Sequence, residues 1–364
     1  MRKRLIVLAV LLLAAGTIVL ASGGGEDPLI SGSYLEEQFT PALLEIVRQR
    51  AEADGQAIAG EVLEAAARTG ALRNPYRSYA PQMEELILKE RDLLACPTGT
   101  VVMPLSGSIA AEFSSGAVID LTEGAEIPSQ TLLSPRHRYL VAEDTVAAFS
   151  VSSPAAVLQW QGYGALASSA ATDYTELADA LRALGLFQGS GTGYGKGYDL
   201  ERYPTRLEAL VMFIRVLGEE PEALAYQGEH LFSDIPWGDS YVAYAYSRGY
   251  TVGYGDGTFG SDDPVDAATY VEFLLRAMGY SSPQEDWLTA LDRAVDCGLL
   301  TAGERSRLEA EPFCRAQVAY LSYYALDAVL PDGQTLARRL ENLGIFSDAQ
   351  LEEARSLVSG MRIS

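Results

Sequence analysis

The stretch Phe232-Ser233-Asp234-Ile235-Pro236-Trp237 is followed by Tyr241-Val242, Ala245-Tyr246 and then Gly249-Tyr250-Thr251-Val252-Gly253-Tyr254-Gly255-Asp256-Gly257-Thr258-Phe259. Its reading decides how the C-terminal half of the chain folds. Gly249 stands just past an apolar helical turn, where a helix ends in a left-handed residue that only Gly adopts without strain. The loop of Gly, Tyr and Asp behind it leads to Asp266. An Asp side chain accepts an orphan backbone N–H and so starts the next helix. The unit is helix, Gly-rich loop, capped helix.

The same order recurs on either side. Leu177-Ala178-Asp179-Ala180-Leu181-Arg182-Ala183-Leu184-Gly185-Leu186-Phe187 returns as Leu336-Ala337-Arg338-Arg339-Leu340-Glu341-Asn342-Leu343-Gly344-Ile345-Phe346, a shift of 159 residues. A further copy over residues 291–299 keeps its glycine at Gly298. Second helices start at Thr205, Asp266 and Cys314, and Thr205-Arg206-Leu207-Glu208 has capping-box spacing. Self-similarity of this kind marks a repeat architecture.

These ordered motifs resemble the S-layer homology repeat, which opens with Phe-x-Asp-Val and a nearby Trp. It continues with Gly-rich signatures and ends on a helix start like Thr-Arg-Ala-Glu. Thr205-Arg206-Leu207-Glu208-Ala209 and Cys314-Arg315-Ala316-Gln317 match that last element. The resemblance covers nearly half the chain. It implies an all-α bundle of three helix-loop-helix repeats with pseudo-threefold symmetry, at residues 172–230, 231–282 and 283–346. It also implies binding of secondary cell-wall polysaccharide, often through a pyruvylated terminal sugar, in grooves between units. Carried over residue by residue, the polysaccharide-binding set is Arg206, Glu208, Trp237, Gly253, Gly255, Gly257, Arg315 and Gln317. A guanidinium suits a planar ketal carboxylate through two parallel hydrogen bonds, and a helix N-terminus favours the same anion. The middle copy has Ala267 and Thr269 where the first has Arg206 and Glu208, and in the third Trp287 stands in for the missing opening. Local readings compete: Arg206 as a cap-region ion pair with Glu208 or Glu201, and Trp237 as a ring under the bundle.

The rest of the chain completes an α+β, multidomain expectation. Residues 1–22 read as a secretory signal, with Arg2, Lys3 and Arg4 before the apolar run from Leu5 to Ala21. An uncleaved anchor is the alternative, since the run is long for a signal. Residues 34–95 read as a helical stalk, carried by Leu43, Leu44, Ile46 and Val47 and by a second helix over residues 82–94. Residues 97–165 read as a small β domain, a sandwich or roll, with strands over 101–103, 108–113, 117–121, 139–142, 146–151 and 157–163. Arg136-His137-Arg138 reads either as an anion-binding loop or as a turn pairing with Glu143 or Asp144.

Charge and composition narrow the function. The net charge of −22 argues against nucleic acid. Any anionic ligand must be held by a few placed cations. Cys96, Cys297 and Cys314 form no zinc pattern, and buried thiols or a Cys297–Cys314 bridge are the options. Asp256, Asp262, Asp263 and Asp266 lack calcium-loop spacing. No nucleophile, phosphate or zinc-protease motif is present, so neither enzymatic activity nor a cofactor is expected. The expectation is a secreted protein held non-covalently on the cell wall, at the cell surface or in an S-layer. Two rivals are an envelope enzyme acting through residues 97–163 and a surface-layer protein self-associating through its N-terminal helices.

Overall fold

The computed structural model describes residues 40–50, 53, 78–282 and 287–364. The chain divides into two units, Met1–Asn74 and Pro75–Ser364. In the first, residues 40–50 form a helix (α1) that leaves Leu43, Leu44, Ile46 and Val47 exposed. The signal reading of residues 1–22 lies outside the described residues. Among the described residues no helix is long and apolar enough to cross a membrane.

The second unit opens with an all-antiparallel sheet in the order β6-β5-β8-β3-β10-β2-β9-β4-β7, with β1 beside β10. Six strands stand where the short β-branched and aromatic runs place them: β3 (Val101–Ser106), β4 (Ile109–Glu112), β5 (Ala117–Asp120), β8 (Tyr139–Ala142), β9 (Val146–Val151) and β10 (Ala155–Ala167). Short β6 (Ala125–Ile127) and β7 (Thr131–Leu132) sit at the edges. Strand β10 links two ladders, pairing β1 and β3 along most of its length and β2 at its end. The sheet thereby folds over Leu88, Leu94, Val102, Ile109, Phe149, Leu158 and Trp160.

The expected helix over residues 82–94 is not formed. β1 (Ser78–Lys89) and β2 (Leu93–Pro97) occupy that stretch, joined by a turn in which Arg91 has φ 63°. The Glu, Leu and Lys residues there suit a helix, but Leu86-Ile87-Leu88 is an apolar run too short to tell helix from strand. Pairing with β10 from Glu84 to Lys89 decides it, because tertiary hydrogen bonding overrides weak local propensity. The β region therefore begins at Ser78, not residue 97. His137 likewise pairs with Asp120 (Nδ1 to Oδ2, 2.8 Å) rather than leaving its turn to Glu143 or Asp144.

The remainder is helical: α2 (Tyr174–Ala183), α3 (Arg206–Val216), α4 (Glu220–Ala225), α5 (Asp239–Ser247), α6 (Ala267–Met278), α7 (Ala290–Asp296), α8 (Ala302–Ala310), α9 (Arg315–Ala325), α10 (Leu336–Asn342) and α11 (Asp348–Ser356). Gly185, Gly249, Gly298 and Gly344 all take φ between 72° and 77°. At three of these ends the next amide reaches back five residues, as in Tyr250 N–H to Ala245 O at 2.8 Å, the Schellman closure. Thr205 and Glu208 form the reciprocal cap read from their spacing, and Asp266 accepts from Thr269 N–H at 2.8 Å. One continuous core joins Leu177, Leu181, Leu210, Phe213, Phe273, Leu274 and Leu321, and Ala155 of the sheet belongs to it. The sheet also grips the helices through Arg307–Glu90 (2.7 Å) and through Gly195 N–H to Glu85 (3.0 Å). Cys96 and Cys314 are buried free thiols, and Cys297 is free and half-buried.

Candidate functional site

A cleft of about 320 Å³ opens where the start of α3 meets the Gly-rich loop and α6. Arg206 is the first residue of α3, and its N–H donates to Asp263 O at 2.8 Å. That contact seats the helix start on the loop that leads into α6. The guanidinium carbon then lies 4.9 Å from the Tyr254 ring centre, 5.2 Å from Phe259 and 5.6 Å from Phe273. Three ring faces around one cation form a cage whose quadrupoles favour its charge. Nε of Arg206 is buried with no hydrogen-bond partner among the described residues. Burial pulls its pKa below the usual arginine value, opposed by nearby Tyr254 and Asp266. A desolvated cation with an unused donor has something left to bind.

The other side of the cleft is a charge network. Glu272, 3 % exposed, accepts from Arg276 Nε (2.7 Å) and Arg293 (2.6 Å). Arg276, Asp266 and the half-exposed Trp287 also line the cleft. Tyr254 closes the rim by donating to Asp263 at 2.9 Å. Sequence reading missed Tyr254, Glu272 and Arg276. Only the spacing of Glu272 and Arg276, four apart on one helix, could have signalled them.

The expected site residues are distributed unevenly. Gly253 lines the cleft with φ 65°, and a Cβ there would collide with the Phe232 ring and the Thr258 carbonyl. Gly255 and Gly257 also take positive φ in the same loop; Gly255 faces open space, and a Cβ on Gly257 would lie 3.9 Å from the Leu231 carbonyl. Trp237 is 46 % exposed, so it is no ring under the bundle, and it is not among the cleft residues. Glu208 is held by Arg202 through two bonds of 2.8 and 3.0 Å and caps Thr205 N–H at 2.9 Å. Burial acts to raise the Glu208 pKa, but Arg202 and Thr205 hold it below the usual carboxylate value. Arg206 therefore has no cap-region pair with Glu208.

Arg315 begins α9 as Arg206 begins α3, and its N–H meets Arg202 O at 2.9 Å. Its surroundings differ. The side chain is 4 % exposed and donates to Tyr198 O (2.9 Å) and Gln188 O (3.2 Å), with the Phe187 ring 5.6 Å away. Burial pulls its pKa down to about 10. Gln317 is also buried; its Oε1 accepts Cys314 N–H at 2.9 Å, and its Nε2 has no partner among the described residues.

Asp234, the Asp of Phe-x-Asp, works one step behind the cleft. Its carboxylate accepts N–H bonds from Phe259 (2.8 Å), Gly260 (2.7 Å) and Ser261 (3.3 Å), fixing the loop that carries Tyr254 and Phe259. Slight burial acts to raise its pKa, but these donors outweigh it and hold the group below the usual value. A depressed carboxylate contributes stability at neutral pH that is lost as pH falls past the ordinary Asp value toward the lowered one. Asp234→Ala is expected to cost about 1–2 kcal/mol, discounted for solvent access. The deficit in urea melts should be present at pH 7 and shrink in acid. An unchanged midpoint at pH 7 would remove Asp234 from this role.

Among the described residues no group of His, Cys, Asp or Glu could hold a metal ion. Of the loop aspartates, Asp266 caps α6, Asp263 accepts from Tyr254 and Asp256 accepts Thr258 N–H at 2.9 Å. Residues 232–266 match the family model of the S-layer homology domain. No curated protein matches the chain. The matched segment contains the loop, Asp234 and the cap of α6, and Arg206 enters the cleft from α3, outside that segment.

Proposed function

We propose that this S-layer homology domain-containing chain is held at the cell surface by a wall polysaccharide whose acidic sugar enters the Arg206 cleft. The domain itself associates the chain with the cell surface. The observation that carries the finer reading is the caged guanidinium of Arg206 with its unpartnered Nε. On a chain of net charge −22, bulk attraction of an anion is ruled out, so recognition rests on this placed cation and on Arg276 beside it. A pyruvyl ketal carboxylate matches the guanidinium, while Tyr254 and Trp287 offer ring faces to sugar C–H groups. Arg315, tied to the carbonyls of Tyr198 and Gln188, acts in this reading as the strut that holds the first loop to α9.

The helices would be three helix-loop-helix repeats, each second helix seated on a neighbouring loop as α3 and α9 are. The sheet is then a body displayed by the anchor, binding rather than catalysing. Self-association through the N-terminal helices is a lesser proposal, resting on the exposed Leu43, Leu44, Ile46 and Val47.

Co-sedimentation with purified wall sacculi tests the proposal. The chain should pellet with intact sacculi and remain in solution when their secondary polymers are stripped by acid. Equal pelleting with stripped sacculi would move the ligand to the peptidoglycan and sink the polysaccharide reading.

A further inference from the structure

A second cavity, of about 380 Å³, lies where the sheet meets the helices. The turns at Ser108 and Ser153 form its sheet side, and Glu201, Tyr203, Glu311 and Gln317 its helical side. Its volume falls in the roughly 300–1,000 Å³ range of small-ligand pockets. The S-layer homology match does not cover these residues.

Two of its polar groups are complementary: one is a donor without an acceptor, the other a carboxylate outside any ion pair among the described residues. Gln317 is 4 % exposed; its Oε1 is committed to the cap of α9 and its Nε2 has no partner among the described residues. A buried amide donor without an acceptor is costly unless a ligand supplies one. Glu201 is the opposite case, a half-buried carboxylate that forms no ion pair among the described residues. Burial raises its pKa, with a backbone hydrogen bond, the Ser106 side chain and the Arg315 charge acting against this. The other two carboxylates of the cavity, Glu90 and Glu311, share Arg307 at 2.7 and 2.9 Å. The cavity is therefore net negative, with one carboxylate outside any ion pair among the described residues and one unused donor. Tyr203 adds a ring that is 58 % exposed.

We propose that this cavity binds an amino sugar carrying a free ammonium group. The ammonium pairs with Glu201, a ring or hydroxyl oxygen accepts from Gln317 Nε2, and the flat C–H face of the sugar lies on Tyr203. An acidic sugar is repelled here, so the cavity and the Arg206 cleft select opposite charges and bind independently.

Calorimetry on the full chain with glucosamine, glucose and N-acetylglucosamine as probes tests this. Glucosamine should bind saturably, with both neutral sugars at least tenfold weaker. Glu201→Gln should abolish the preference, and Tyr203→Ala, at an exposed position that leaves the fold intact, should weaken glucosamine several-fold. Arg206→Ala should leave glucosamine binding unchanged, so failure of the wall-anchoring proposal and failure of this one are distinguishable. No saturable glucosamine binding, equal binding of glucose, or a preference that survives Glu201→Gln would each overturn the assignment.

Discussion

A chain cut after Leu330 is expected to lose the cooperative melting of its helices. The removed segment contributes Leu336 (1 % exposed), Leu340 (1 %), Phe346 (4 %) and Leu351 (5 %) to the same core that holds Leu177 and Phe213. Each such side chain is worth roughly 1.5–3 kcal/mol when fully buried. The four together approach the whole stability of an ordinary domain, about 5–15 kcal/mol. The cut also removes Arg362, which holds Glu304 through bonds of 2.7 and 2.9 Å. Glu304 is 2 % exposed and would keep only Tyr320 and the Thr301 cap as partners. Stranding a buried carboxylate in this way costs about 3–5 kcal/mol. Circular dichroism at 222 nm during heating reads the result, with Arg362→Ala as the intermediate case. A truncated chain that melts at the full-length midpoint would mean that the last two helices merely decorate the bundle.

Arg206→Ala is expected to weaken binding of isolated wall polymer between ten- and a hundredfold while leaving the melting curve close to that of the parent. A bidentate, charge-assisted contact is worth roughly 1.5–3 kcal/mol, and about 1.4 kcal/mol is one decade in affinity. Arg206→Lys should also fall short, because an ammonium reproduces neither the planar fork nor its stacking among Tyr254, Phe259 and Phe273. Arg315→Ala should show the opposite pattern. It leaves the carbonyls of Tyr198 and Gln188 without their donor, so stability falls by about 2–4 kcal/mol. Affinity measured on the molecules still folded should hold. Calorimetry with the polymer, beside urea melts of both variants, separates the two roles. If Arg206→Ala binds like the parent while folded, its cage is structural and the anion site lies elsewhere. If Arg315→Ala loses affinity but no stability, the two arginines have been assigned the wrong way round.

The part of this protein legible from its sequence was the part governed by local backbone chemistry. A helix end needs a left-handed residue, so Gly185, Gly249, Gly298 and Gly344 announce four ends wherever the helices pack. A helix start needs a side-chain acceptor, so Thr205 and Asp266 mark two beginnings, and the same spacing puts Arg206 and Arg315 on first turns. Short runs of β-branched and aromatic residues between Gly, Ser and Pro located six strands of the sheet. Each of these signals is complete within a few residues.

What only the tertiary structure decided is which of these groups has a partner. Two arginines at matched positions diverge because the loop carrying Gln188 and Tyr198 presents carbonyls to Arg315, whereas the loop carrying Tyr254 and Phe259 presents ring faces to Arg206 and leaves Nε unpaired among the described residues. Trp287, not Trp237, lines the cleft, because the chain brings α6 and the start of α7 together there. Residues 82–94 became strand because β10, some seventy residues away, supplied the hydrogen bonds. Glu201 and Gln317 became a candidate pair only when the sheet closed over them. Local sequence sets dihedral angles and caps; burial, pairing and the residual unsatisfied charge depend on distant segments that no short window contains.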